Sequence, residues 1–134
     1  MKRTPLLNRH LSALIASLGH LDEIVIADAG LPTPRDVPVI DLALVAGTPG
    51  FLDVLRALKH ELCVEGAILA QEAAPALVAE VQSEMDGWGG PTPIAISRLP
   101  HAAFKARTPT ARAIIRSGET TPYANIILIC GVAF

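Results

Sequence analysis

At 134 residues the chain has the length of one domain, enough to bury a real core but with no room for a separate cofactor domain. A net charge of -2, a pI near 6.0 and 4% aromatic residues give neither the basic footprint nor the stacking platform of a nucleic-acid binder, which excludes that class of partner. Charged residues make up 18% of the chain, against roughly 25% in a typical domain, and apolar residues 51%; so little polar surface predicts a homo-oligomer.

Leu7, Leu11, Leu14, Ile15 and Leu18 recur at helical spacing, with Asn8 as a cap and Gly19 as a left-handed stop, so a first helix is expected to end just before His20. Ile24 to Ala27 is a short run rich in β-branched residues that Asp28-Ala29-Gly30-Leu31-Pro32 must break, which puts Asp28 at the carboxyl end of a buried strand. Val39 to Val45 reads as a second strand. After the turn Gly47-Thr48-Pro49-Gly50 comes a helix with Phe51, Leu55 and Leu58 on one face, and then a third strand from Leu62 to Leu69. Pro75 opens the next helix, with Leu77, Val78 and Val81 inward, and Asp86-Gly87-Trp88-Gly89-Gly90-Pro91 ends it in a loop. Ile94 to Ile96 is a fourth strand, a short helix starts near Pro100-His101, and strands follow at Ala113 to Arg116 and Ile126 to Gly131. Strands alternating with helices predict one three-layer α/β/α domain over residues 1–134, around a mostly parallel, mixed sheet of about six strands.

The loop from Ser117 to Asn125 is too short for a parallel crossover, so the last two strands, if neighbours, should pair antiparallel. Open α/β sheets bind ligands at strand carboxyl ends, so Asp28, His101 and this loop are expected to converge on one edge.

Several chemistries lack their residues. Cys63 and Cys130 lie in apolar runs and read as buried core thiols, and no CxxC pair or His-x3-His spacing offers a metal site, so neither metal nor cofactor is expected. The glycines around Trp88 lack the spacing that cradles phosphate. The start resembles a signal peptide only faintly, because Arg9 and His10 interrupt it, and the longest uncharged stretch, Thr120 to Phe134, falls short of the roughly 20 residues of a membrane span. A cytoplasmic protein without a membrane partner is expected.

His20 follows a glycine and precedes Leu21-Asp22-Glu23; an imidazole suits proton transfer near neutral pH, and a helix cap or an ion pair would explain it equally well. Asp28, an acid ending an apolar strand, must be solvated by a pocket, paired, or used as a turn cap. His101 and Lys105 are four apart and would share a helical face, able to donate to hydroxyl oxygens or simply exposed. His10 and His60 read as surface or interface residues. The loop bearing Tyr123 and Asn125 combines an aromatic face, hydroxyls and an amide, a mixture that suits a sugar or a plain polar turn.

These same segments resemble the D-ribose pyranases, a family that groups with the fucose mutarotases. The resemblance rests on Gly19-His20-x-Asp22-Glu23, Asp28-Ala29-Gly30-Leu31-Pro32-x-Pro34, Ile40-Asp41-x-Ala43-Leu44, Pro49-x-Phe51 and Val64-Glu65. Its most specific stretch is Ile115-Arg116-Ser117-Gly118-Glu119-x-x-Pro122-Tyr123-Ala124-Asn125-Ile126-Ile127-Leu128. It implies non-redox interconversion of the pyranose and furanose forms of ribose for a ribokinase, with the position of His20 as proton donor. Asp28, His101, Lys105, Tyr123 and Asn125 fall on the sugar-binding positions. It also implies ring-like homo-oligomers, often decamers, with the sugar site near subunit contacts. Gln71, Gly50 and the stretch around Trp88 depart from the family pattern, and Gly30-Leu31-Pro32 with Pro122-Tyr123-Ala124-Asn125 favours the ribose branch. A fucose-type mutarotase, a non-catalytic sugar-binding module accessory to ribose uptake and a structural assembly protein are the competing readings.

Overall fold

The computed structural model describes residues 1–89 and 93–134; residues 90–92, within the loop expected after Trp88, lie outside the described residues. Six strands form one sheet in the order β2-β5-β1-β6-β3-β4. They are β1 (Glu23–Ala27), β2 (Val39–Asp41), β3 (Val64–Ala70), β4 (Ala95–Leu99), β5 (Ala113–Arg116) and β6 (Ile126–Cys130). All neighbouring pairs are parallel except those of β6, which runs antiparallel to both β1 and β3.

The central strands are apolar at successive positions because both faces of the sheet are covered. Ile24, Ile26, Leu69, Ile126 and Leu128 turn to one face, where they meet Leu11 of α1 (Arg9–Ser17), Phe51, Leu55 and Leu58 of α2 (Phe51–Lys59), and Leu77, Val81 and Met85 of α3 (Pro75–Asp86). Val25, Ile68, Ile114 and Ile127 turn to the other, against Phe104 of α4 (His101–Arg107), Leu31 and Val37. The expected three-layer α/β/α architecture is therefore present.

Four local expectations are corrected. Helix α1 stops at Ser17 with an extended Leu18, and the left-handed residue in the turn is Leu21, at φ 66°, rather than Gly19. Strand β2 ends at Asp41, because the chain then folds into a tight turn in which Val45 bridges Thr48. Strands β5 and β6 are not neighbours: β1 lies between them, and residues 117–125 pass over its carboxyl end. Cys63 is exposed, whereas Cys130 is buried as expected, its thiol pushed up to about 11 mainly by that burial. Trp88, in the loop expected after α3, closes the core and donates its indole N–H to the Leu62 carbonyl at 2.8 Å.

The segment that crosses β1 is fixed by close backbone contact. The buried Ser117 hydroxyl donates to the Ala27 carbonyl at 2.7 Å, and Gly118 exchanges backbone bonds with Pro49 (2.8 Å) and Gly47 (2.6 Å). A Cβ on Gly118 would sit 2.6 Å from the Val45 carbonyl and closer still to that of Thr48, both backbone atoms. Gly118→Ala is therefore expected to destabilise the fold by about 1–3 kcal/mol, as overpacking does, read as an earlier urea midpoint in Trp88 fluorescence.

Candidate active site

Three elements meet at the carboxyl end of β1. The residue after the strand, Asp28, finds a fully buried partner in Asn125, which immediately precedes the antiparallel β6. The Asp28 N–H donates to Asn125 Oδ1 at 2.7 Å, and Asn125 Nδ2 donates to Asp28 Oδ2 at 2.8 Å. The Gly30 N–H donates to the other oxygen, Oδ1, at 2.9 Å. Each Asp28 oxygen thus accepts one bond and keeps a lone pair free, the condition for a carboxylate that still has to bind a ligand.

His101 enters from the first turn of α4. Its backbone N–H is held by the Glu72 carboxylate at 2.9 and 3.1 Å, which supplies the cap that Pro100 cannot. The His101 ring meets Tyr123 edge-on at 4.9 Å and stacks on Phe104 at 6.3 Å, while its buried Nδ1 has no hydrogen-bond partner among the described residues. Tyr123 sits at φ 63°, a conformation rare for a bulky residue and costing about 1–3 kcal/mol. Asp28, Leu31, Pro32, His101, Thr120 and Tyr123 line an open cleft of about 500 Å³, with Glu119 at its wall. Its volume falls in the range of small-ligand sites, and its mixture of apolar wall and convergent polar groups matches them too.

Glu119 is a second carboxylate at the cleft, but its oxygens are already engaged by the N–H groups of Thr120 and Thr121 (3.0 Å each) and of Phe51 (3.2 Å). Burial pushes its carboxyl up, yet the bonds from Thr121, Phe51 and Thr120 outweigh that and hold it below the ordinary 4.5. Glu119 therefore ties the cleft loop to the start of α2, and Asp28, with one bond on each oxygen against three in all at Glu119, is the more open carboxylate.

The residues expected at one site divide into groups. Asp28, His101 and Tyr123 line the cleft, and Asn125 stands behind Asp28 rather than in the wall. Lys105 lies on the exposed side of α4, one turn beyond His101, outside the cleft lining. His20 is at the other end of the sheet: the five residues of β1, about 16 Å of extended strand, separate its turn from Asp28. There its Nε2 lies 3.0 Å from Glu65 Oε2, both side chains about half exposed. Neither Asp22 nor Glu23 makes that contact. Asp22 accepts the Gly19 N–H, and Glu23 is paired with Arg107. Glu65, Glu72 and Glu119 hold these contacts without a role legible in the residue pattern: Glu65 and Glu119 stand inside the motifs of the resemblance, and Glu72 carries no signal beyond its place after a strand. Among the described residues no three His, Cys, Asp or Glu side chains are grouped to hold a metal, and no helix is long and apolar enough to cross a membrane.

Comparison with known proteins bears on this geometry. The family model described as the RbsD / FucU transport protein family matches residues 1–133. The chain is 50% identical to a D-ribose pyranase of Vibrio campbellii, with all of both chains covered, and 48% identical to one of Geobacillus kaustophilus, covering 100% of this chain and 96% of that one. Among solved structures it resembles Bacillus subtilis RbsD complexed with D-ribose, at a TM-score of 0.91 and 42% identity over the whole of both chains. It also resembles the fucose mutarotase of Streptococcus pneumoniae in complex with L-fucose, at 0.81 and 25%, again over both entire chains.

The Glu119 bonds set an acid limit on the loop. A carboxyl depressed in the folded state contributes stability that is complete above its unfolded value near 4.5 and is lost as pH falls through the folded value. Between roughly pH 5 and pH 3 the wild-type urea midpoint should therefore fall more steeply than that of Glu119→Gln, whose side chain does not titrate.

Proposed function

The chain belongs to the RbsD / FucU transport protein family, and on that premise we propose that it is a D-ribose pyranase, an isomerase that interconverts the β-pyranose and β-furanose forms of D-ribose. The observation that carries the reading is the cleft itself: an open carboxylate braced by Asn125, an imidazole with an unpartnered nitrogen and an aromatic ring, gathered where an α/β sheet binds ligands. The higher identity to the ribose-bound structure than to the fucose mutarotase favours the ribose branch.

Ring opening needs a proton given to the ring oxygen as its bond to the anomeric carbon breaks, and the anomeric hydroxyl proton taken away as the aldehyde forms. Reclosure runs the same transfers backward through a different hydroxyl. Asp28, aimed by the buried Asn125 behind it, takes the anomeric proton; His101 binds hydroxyls with Lys105 reaching in on its flexible stem, and Tyr123 presents its ring to the C–H face of the sugar. His20 is the proton donor. Because β1 holds His20 away from the cleft of its own chain, the donor comes from a second copy, and the complete site forms between subunits. The whole chain acts as one domain in a cytoplasmic, ring-like homo-oligomer, a decamer by resemblance, and the low charged fraction and the exposed Leu21, Leu44 and Val45 support such an assembly.

NMR exchange spectroscopy on equilibrated ribose tests the activity. Wild-type protein should accelerate pyranose to furanose exchange, and His20→Ala should lose about 10²-fold or more of that acceleration; no acceleration by wild type would end the ribose reading. Mixing tests the shared site. Subunits carrying His20→Ala and subunits carrying Asp28→Asn, each inactive, should on co-assembly regain roughly a quarter of wild-type activity, because random pairing across an interface joins the two intact halves that often. Elution at the 14.1 kDa of one chain, or no recovery on mixing, would overturn it.

A further inference from the structure

His20 is exposed, yet little about it is free. The Gly19 N–H is held by Asp22 Oδ2 at 2.8 Å, the Asp22 N–H returns to the Gly19 carbonyl at 3.1 Å, and the Leu21 N–H donates to the Cys130 carbonyl at 2.9 Å. The Cys130 N–H donates in turn to the Asp22 carbonyl at 2.9 Å, so the turn is sewn to the last residue of β6 on both sides of Leu21. Leu21 itself is held at φ 66° with 61% of its surface exposed, an unfavourable conformation for a leucine that keeps the turn tight. An imidazole needed only as a solvated surface group has no use for such a mount.

The ring is fixed as well. A carboxylate presents only lone pairs, so a contact of 3.0 Å between Glu65 Oε2 and Nε2 requires the hydrogen to be on Nε2. The tautomer of a histidine is set by the bond its other nitrogen makes.

We propose that Glu65 is a positioning residue for His20, accepting its Nε2–H so that Nδ1 is the nitrogen that exchanges a proton with the sugar. This deepens the shared-site reading above and rests on it. In the opening step the His20 imidazolium gives its Nδ1 proton to the ring oxygen as the bond from that oxygen to the anomeric carbon breaks, while the anomeric hydroxyl proton passes to Asp28 as the aldehyde forms. On reclosure Asp28 returns its proton to the aldehyde oxygen, and the attacking hydroxyl gives its proton to Nδ1, so the protein ends in its starting state. Throughout, Glu65 keeps the Nε2 proton and balances the imidazolium charge. Glu65 touches no substrate.

The test separates the carboxylate's effect from simple stability. Imidazole ¹⁵N spectra of the native assembly, with His20 assigned by comparison with His20→Ala, should show neutral His20 protonated at Nε2, with the Nε2 proton protected from water; Glu65→Ala should lose that protected proton. In ribose exchange, Glu65→Gln should lower the rate at saturating sugar about 10-fold with the half-saturating concentration changed less than roughly twofold, and Glu65→Asp should recover part of the loss. A wild-type His20 protonated at Nδ1 when neutral, or undiminished exchange in both Glu65→Gln and Glu65→Ala, would overturn the proposal. Wild-type protein without ribose exchange would instead sink the ribose reading, and the ¹⁵N spectra would still decide whether Glu65 sets the tautomer.

Discussion

Everything functional in this molecule hangs on the insertion of β6, reversed in direction, between β1 and β3. Reversal puts the beginning of β6 against the end of β1, so that Asn125, the residue before it, faces Asp28, the residue after β1. It puts the end of β6 against the beginning of β1, where Cys130 fastens the turn bearing His20. One strand of five residues therefore builds both an anchored carboxylate and an anchored imidazole, at opposite ends of β1. A parallel strand in that slot would have placed Asn125 among the wrong neighbours and left Asp28 unbraced. The hydrogen bonds that secure β6 are cooperative with its core packing, since Ile126, Ile127 and Leu128 are fully buried, and burying each such side chain is worth about 1.5–3 kcal/mol.

The two left-handed residues lie at the same two places. Leu21 adjoins His20 and Tyr123 lines the cleft, and they are the only non-glycine residues with positive φ among the described residues. Backbone strain persists only where surrounding bonds over-determine it. At Leu21 those are the bonds to Cys130; near Tyr123 they are the Asn125 N–H bond to its carbonyl at 2.8 Å and the Glu119 anchor on Thr121. The protein has spent rigidity where its chemistry needs fixed groups.

How much of this was legible in the sequence depended on whether the cause was local. Strands β1, β5 and β6 are continuous apolar runs bounded by turn residues, and both faces of the sheet bury them, so the pattern and the structure have one cause. The meeting of Asp28 with the Tyr123 and Asn125 loop was also legible, although the reason proved different: the loop crosses over β1 instead of linking two neighbours. Polar contacts across long sequence separations were not legible. Glu65 lies 45 residues from His20 and Glu72 29 residues from His101, and no periodicity reports on such pairs. The acids adjacent to His20 misled for the same reason, since neighbours in the chain turned to Gly19 and Arg107. Strand order was likewise invisible, and with it the fact that His20 and Asp28 stand at opposite ends of one strand.

That separation gives the composition a chemical meaning. A single subunit has a carboxylate with open lone pairs in a cleft that His20 does not line, and a mounted histidine at the other end of β1. On the proposed shared site, neither half does chemistry until two copies meet, and the contact that joins them also expels water from both. The His20–Glu65 pair is half exposed in one chain, where such ion pairs are worth about 0–1 kcal/mol; covered by a second subunit, the same pair sits in a lower dielectric, and its hold on the imidazole strengthens. Leu21, exposed beside His20, and Leu44 with Val45, exposed beyond the cleft loop, are the apolar surface such a contact would draw on. Association and catalysis then share one cause, which explains why a chain of such low charge exposes its apolar residues beside its most carefully fixed polar ones.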